Sequence, residues 1–296
     1  MSGNTRDLVA NRSRLGRSRK ATLLWNVLRE NGLVWTSLLA LYYFSSGVAE
    51  ASFGRLQTLK LKNKLPGTSS LGANKEIWEN WDWQAGGEEW THSPEWKESL
   101  IRNVLRRYIP PGGSILEIGP GGGRWTATLI EMADTFRAVD IAESCIRVCQ
   151  QKFAGQSKAS FFVGNGKDLS DIPDASIDSL WSFDVFVHIN IAEAASYARE
   201  FRRVMRANSV GVVHHGTSGG LDGGWRSNIT SEAFRELLQQ AGFSVLSEFQ
   251  TWEDGGQKYP VGLYKDQITV FGSTASDGDQ SRKDFEVGGA ARERLS

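Results

Sequence analysis

The sequence is short of cysteine and of net charge, and both shortages narrow its function. Its two cysteines, Cys145 and Cys149, stand four residues apart on one turn of a candidate helix. That spacing describes no disulfide framework, so a reducing, cytoplasmic setting is the default and both thiols are expected to be buried as small apolar groups. Lys and Arg number 34, as do Asp and Glu, which removes any whole-chain attraction to nucleic acid. No Asn-Pro-Pro-Tyr type of motif for a flipped base occurs either, so no nucleic-acid partner is expected. None of the four histidines forms a tight H-x-x-x-H pair, and no metal site is expected.

What is present is a globular composition, 40% hydrophobic, in a chain long enough for one large core with appended segments. Residues 1–20 form a basic leader carrying Arg6, Arg12, Arg14, Arg17, Arg19 and Lys20. Residues 21–70 read as an apolar or amphipathic helical segment, with no charge between Glu30 and Glu50. Three placements are open for it: spanning a bilayer, lying on its surface, or docking on the protein. A signal peptide fits poorly, because the leader is long and the apolar stretch is interrupted. The expectation is peripheral contact through residues 21–55 at the cytoplasmic face of a membrane. Residues 71–97 form a Trp-rich cap without sustained periodicity, and residues 273–296 a polar, disordered tail.

Residues 98–272 alternate between two periods. A helix is expected from Glu98 to Ile109, ended by Pro110-Pro111-Gly112-Gly113. Strands follow at Ser114–Ile118, Phe136–Ile141, Ser160–Val163, Ser179–Phe183 and Val210–His215. Helices separate them at Gly123–Met132, Ser144–Phe153 and Ala192–Arg206. A helix over Ser231–Ala241 and strands at Phe243–Phe249 and Gln267–Phe271 complete the pattern. Strands joined by helical crossovers make a mostly parallel sheet covered on both faces, with its ligand beyond the carboxyl ends of the strands.

The loop Gly119-Pro120-Gly121-Gly122-Gly123 follows the first strand, where glycines admit a ligand close to backbone amides. The dinucleotide pattern G-x-G-x-x-G fails, because Arg124 stands three after Gly121. Glu117, two before the loop, would repel a pyrophosphate but suits a ligand bearing ammonium and sulfonium groups. Asp140 ends the second strand and is placed to accept from two ribose hydroxyls, with a helix cap as the plainer alternative. Asn165 and Asp168 follow the third strand, and adenine contact and an ordinary turn are equally open for them.

ILEIGPGGGRW, VDI, NGKDL and SIDSLWSFDVFVHI in this order, with EFRRVM before the fifth strand, resemble the class I S-adenosylmethionine-dependent methyltransferases over about Glu98–Gly272. The resemblance implies a Rossmann-like α/β fold with a seven-stranded, mostly parallel sheet whose last strand is antiparallel, and S-adenosylmethionine as cofactor. It implies Gly119, Gly121 and Gly123 around the methionine part and Asp140 on the ribose, with Ile141, Gly166 and Ser182 completing the cofactor set. Asn165 departs from the acidic residue common there, and Arg206-Ala207-Asn208-Ser209 replaces the usual Pro-Gly turn. The Trp-rich stretch and Gly224–Ser227 look like a bacterial subgroup associated with sugars.

The implied reaction is O-methylation of a sugar or other small hydroxylated or glycan-linked acceptor, which requires a base. In similar sugar methyltransferases a histidine at the position of His188 serves as that base. His215 is a second candidate, and Asp184 would orient His188 or hold the acceptor. Trp83, Trp90, His214, Trp225 and Arg226 are the acceptor-side candidates; flat indoles suit sugar rings and exclude water, or simply clasp the sheet edge. Because neighbours on a strand point oppositely, only one of His214 and His215 is expected to reach the acceptor. A cofactor-binding module without the reaction is the alternative from another functional class.

Overall fold

The computed structural model describes residues 17–63, 65, 67–220, 226–262 and 264–273. The leader up to residue 16, Trp225 and the tail beyond Ser273 lie outside the described residues. The chain divides into two compact units, Met1–Leu65 and Pro66–Ser296.

The first unit is one helix, α1, Arg17–Lys62, interrupted at Gly32, whose φ of 79° leaves the helical region. Trp25–Lys62 is long and apolar enough to cross a membrane by length and composition. Its large apolar side chains are exposed over a wide arc: Leu33, Val34 and Trp35 are consecutive, Leu38, Leu41, Tyr42 and Phe44 fall within the same arc, and Tyr43 lies outside it.

The second unit opens with α2, Leu71–Glu79, capped by the Ser70 side chain on the Ala73 N–H. Short turns at Trp83–Ala85 and Glu88–Trp90 lead to α3, Pro94–Leu100, which Ser93 caps. This helix runs on through a π-turn at Ile101–Leu105 to Arg106–Tyr108. The Trp-rich region is therefore built on hydroxyl and carboxylate caps, whose signals the absence of periodicity hid.

Alternation then begins with β1 (Ser114–Ile118), α4 (Thr126–Met132), β2 (Thr135–Asp140), α5 (Glu143–Lys152) and β3 (Ala159–Val163). It continues with β4 (Ile177–Phe186), α6 (Ile191–Val204), β5 (Met205–Gly216) and α7 (Ser231–Gln240). The chain closes with β6 (Ser244–Phe249), a hairpin of β7 (Thr251–Asp254) and β8 (Gln257–Pro260), and β9 (Asp266–Gly272).

The seven-stranded sheet has the order β3-β2-β1-β4-β5-β9-β6. Strands β1 to β5 pair in parallel, and β9 runs antiparallel between β5 and β6. The order reverses at β1/β4, which opens a crevice beyond their carboxyl ends. One core layer packs Leu100, Leu105, Ile115, Phe136 and Trp181, and the other Leu116, Leu180, Phe186, Phe201 and Phe271.

Three departures from the sequence pattern have local causes. Helix α4 starts at Thr126 rather than Gly123, because Gly121 and Gly123 hold positive φ values that end helical geometry. Residues 206–209 lie within β5 as an irregularity, with Asn208 left-handed at φ 61° and the register shifting between Ile177 and Ser179. The β7–β8 hairpin, unforeseen, turns on Gly255-Gly256, both left-handed.

Candidate active site

A cavity lies beyond the carboxyl ends of β1, β2 and β4, roofed by α2 and the Trp-rich turns. At one end its wall is Gly119 to Gly122, Asp140, Ile141, Gly166, Glu193 and Tyr197. Gly119 and Gly121 have φ values of 71° and 54°, which side chains rarely adopt. A Cβ on Gly121 would lie 2.8 Å from the Trp83 ring, and one on Gly122 would lie 2.5 Å from Gly86 Cα. Glycine here is thus required by the Trp-rich turns pressing on the loop as well as by the bend.

Asp140 sits at the end of β2 with its carboxylate tied to the loop: Gly121 N–H donates to Oδ2 at 3.2 Å and Ala142 N–H to Oδ1 at 2.9 Å. Burial pushes its pKa up to about 6, against the pull of these amides. Glu193 Oε2 is buried without a hydrogen-bond partner among the described residues and lies on the same wall. This donor-poor, acceptor-rich end fits a nucleoside presenting hydroxyls, an amine and positive charge.

Other members of the expected cofactor set lie elsewhere. Glu117 is wholly buried away from the wall, accepting from Thr126 Oγ1 at 2.6 Å, and burial raises its pKa to about 8. It is a mostly neutral acid under the loop at pH 7, not a counter-ion in the cavity. Gly123 is turned toward the Phe153 ring, and Gly122 lines the cavity in its place. Ser182 is buried and donates to Ile118 O at 3.1 Å, pinning β4 to β1. Asn165 and Asp168 close a turn on themselves at 2.8 Å, and only Gly166 between them reaches the wall.

The opposite end is charged and aromatic. Arg124, Asp184, Arg226 and Asp266 line it with His92, Trp96, Trp125, Phe183 and Tyr264. Arg124 pairs with Asp184, and Arg226 with Asp266. His214 lies behind both pairs: its Nδ1 accepts from the Asp184 N–H at 3.1 Å, and its Nε2, 3.6 Å from Asp266 Oδ2, is buried without a hydrogen-bond partner among the described residues. Asp184 is held left-handed at φ 61°, where β4 loses register with β5 after Ser182. Burial alone would raise its pKa, but Arg124 and His214 outweigh that and hold it well below the usual carboxylate range. It is a locked anion that fixes Arg124.

Among the acceptor-side candidates, Trp83, Trp90 and Arg226 lie on the wall. His188 does too, against the Trp78 ring at 5.1 Å. His215 does not: it is fully buried, Nδ1 2.8 Å from Gly216 O and Nε2 2.8 Å from Thr269 Oγ1, and packs on Phe234. Burial depresses its pKa to about 3, so it is a neutral structural group. His214 is equally sealed and touches the cavity only through Asp184. Neither member of the pair reaches an acceptor directly, because the Phe183 ring lies against His214 and the Phe234 ring of α7 against His215, each with centroids 4.3 Å apart. His92, Arg124 and Asp266 are not among the expected site residues; Arg124 lies inside the glycine-loop motif, but no spacing gives it a role.

The family model for a methyltransferase domain matches residues 115–208, the span from β1 into β5 that carries the glycine loop and Asp140. This match and the strand order make the domain similar to the class I S-adenosylmethionine-dependent methyltransferases. A Leishmania major S-adenosylmethionine-dependent methyltransferase resembles it at 13% identity, covering 68% of this chain and 82% of that one, with a TM-score of 0.56. Haemonchus contortus phosphoethanolamine N-methyltransferase 1, solved with phosphoethanolamine and S-adenosylhomocysteine, resembles it at 15% identity over 73% of this chain and 51% of that one, with a TM-score of 0.55. At these identities the two share its fold. No curated protein matches the chain. The glycine-loop end of the cavity is where the residues fit S-adenosylmethionine, the cofactor that the sequence motifs imply.

Proposed function

We propose that the methyltransferase transfers its methyl group to a hydroxyl of a sugar or comparable small polyhydroxylated acceptor, free or glycan-linked, with a histidine removing the hydroxyl proton. The observation that carries this reading is the far end of the cavity, where Trp96, Trp125, Phe183 and Tyr264 surround Arg124–Asp184 and Arg226–Asp266. The charges there cancel in pairs, which suits a neutral acceptor better than an ionic one. The guanidinium and carboxylate edges suit its hydroxyls, and the half-buried indoles of Trp83 and Trp90 elsewhere on the cavity wall suit the apolar faces of a sugar ring.

When bound, the cofactor supplies an electrophilic methyl on a positive sulfur. The chain's own residues grip the ribose through Asp140, exclude water with the Trp-rich roof, and orient the acceptor. Incubating the enzyme with labelled S-adenosylmethionine and pools of neutral sugars, glycans and small amines tests the reading. Methyl ethers on sugars are the expected product by mass spectrometry; label on amine nitrogen, or on none of the pools, overturns it.

We also propose that α1 holds the enzyme in a membrane at its cytoplasmic face. Beyond the break at Gly32, the stretch from Leu33 to Ala49 is free of charge, and at the usual helical rise its 17 residues reach about 25 Å, against a hydrocarbon core of about 30 Å. An apolar arc wider than half the circumference, with Tyr43 beyond it, favours insertion over the surface contact expected of a narrow one-sided stripe. Cell membranes washed in alkaline carbonate should retain the full chain and release one lacking residues 1–62; release of both refutes insertion.

A further inference from the structure

We propose that His92, rather than His188, is the general base of this site, and that Arg124 holds the acceptor oxygen while it gives up its proton. The inference rests on the hydroxyl-acceptor reading above.

Of the four histidines, His214 and His215 are sealed from the cavity, which leaves His92 and His188 on its wall. Their surroundings differ. His188 follows β4 in a turn, its N–H bonded to Val185 O, its carbonyl accepting from Asn74 Nδ2 at 2.9 Å, and its ring edge-on to Trp78 under the roof helix α2. His92 precedes α3, and its ring lies flat on Trp96, centroids 4.9 Å apart and planes inclined by 22°. No hydrogen bond to the described residues engages either of its ring nitrogens. The charged groups that act on it are Asp184, Arg124 and His214, the polar cluster that ends the cavity. Burial lowers its pKa below the usual imidazole value, so it stands as a free base at neutral pH; Asp184 opposes that shift and would steady the imidazolium once formed.

Arg124 supplies the second half. Its guanidinium is stacked near Trp125 and Phe183, 4.7 and 5.5 Å from their ring centres, and Nη2 is taken by Asp184. Nη1 is buried with no hydrogen-bond partner among the described residues, in a side chain 5% exposed that lines the cavity. A buried guanidinium N–H left without an acceptor is rare, because the donor loses water and gains nothing. An acceptor oxygen in front of it satisfies that donor, and the bond strengthens as the oxygen acquires negative charge. Asp184, 29% exposed beside it, can accept from a neighbouring hydroxyl. A vicinal diol therefore matches the pair.

The step balances within the site. The acceptor O–H proton passes to the His92 imidazole, and the oxygen's freed electron pair forms the O–CH3 bond. The C–S bond breaks with its pair remaining on sulfur, giving a methyl ether, a neutral thioether and an imidazolium beside Asp184.

Two measurements test this. On whichever sugar the wild type methylates, His92→Ala should lose about 100-fold or more in kcat with KM within a few-fold, while keeping its thermal midpoint and its calorimetric affinity for S-adenosylhomocysteine. Added imidazole should restore part of the rate, and the acidic limb of the kcat profile should vanish; His188→Ala should lose less than tenfold. The reverse order of the two variants overturns the proposal. Independently of any acceptor, NMR of histidine-labelled full-length protein saturated with S-adenosylhomocysteine should show His92 neutral at pH 7. An imidazolium there overturns the assignment, whereas a neutral His92 in an enzyme that methylates only amines would sink the hydroxyl reading instead.

Discussion

At one end of the cavity the wall residues come mainly from two short contiguous stretches, Gly119–Gly122 and Asp140–Ile141. At the other, His92, Arg124, Asp184, Arg226 and Asp266 are brought together from widely separated points along the chain. The first end is made of backbone turns with two carboxylates, Asp140 and Glu193, the second of paired charges between aromatic faces. A backbone cradle depends on glycine at fixed offsets from a strand end, whereas a charge cluster needs only that some element deliver each partner. The fixed part therefore suits an unvarying cofactor, and the assembled part suits an acceptor on which such enzymes differ.

The sharpest way to break this contrast is Asp140→Ala. The Asp140 carboxylate accepts directly from the glycine loop and lies on the cavity wall, and hydrogen bonds to a charged partner contribute roughly 1.5–3 kcal/mol each. Loss of two ribose contacts should weaken S-adenosylhomocysteine binding by about 100-fold or more in calorimetry. In the wild type, affinity should also fall as pH drops below about 6, because protonation of Asp140 removes an acceptor. A variant within fivefold of the wild type would mean that the loop alone holds the nucleoside.

Next in size is Glu117→Gln, which asks whether the acid under the loop is neutral. Its pKa is about 8 in the fold, against an ordinary value of 4.5. Between those values the folded chain holds a proton that the unfolded chain releases, so each rise in pH across that window costs stability; below it the two states are alike. Glutamine keeps the shape and removes the titration. The variant should be more stable than the wild type by on the order of 3 kcal/mol at pH 9 and nearly equal at pH 4, in denaturant melts. An unchanged difference between the two pH values would show Glu117 to be ionised in the fold.

The same contrast accounts for what the sequence disclosed. The sheet was legible because β1, β2 and β5 are apolar runs bounded by glycine, proline or charge, and because crossover helices force parallel neighbours. Asp140 was legible for the same reason: a strand end fixes a side chain's position along the chain. Glu117 and Ser182 were misread, since alternation along a strand does not reveal which face the crossovers cover, and both point into the sheet's packing. His215 was misread because its partner Thr269 lies 54 residues away on β9. Arg124 stood in plain view beside the loop, yet its meaning depends on Asp184 and Trp125 in three dimensions. The helix α2 went unseen because nine residues with one buried side chain, the polar Asn74, carry little amphipathic signal.

The smallest effect expected is also the most discriminating between a wall residue and a residue behind the wall. Ser182 stands on β4 two residues before Asp184, in the motif that the methyltransferase resemblance assigns to the cofactor, yet its hydroxyl donates to Ile118 O and its surface is fully buried. Ser182→Ala leaves that carbonyl one donor short without opening the cavity, so stability should fall by about 1 kcal/mol, the net worth of one buried hydrogen bond. Affinity for S-adenosylhomocysteine should stay within twofold, because β1 and β4 remain paired through Ile115, Leu116 and Glu117. A tenfold loss of affinity with unchanged stability would move Ser182 into the cofactor set, and would mean that the floor of the cavity lies one layer deeper in the sheet.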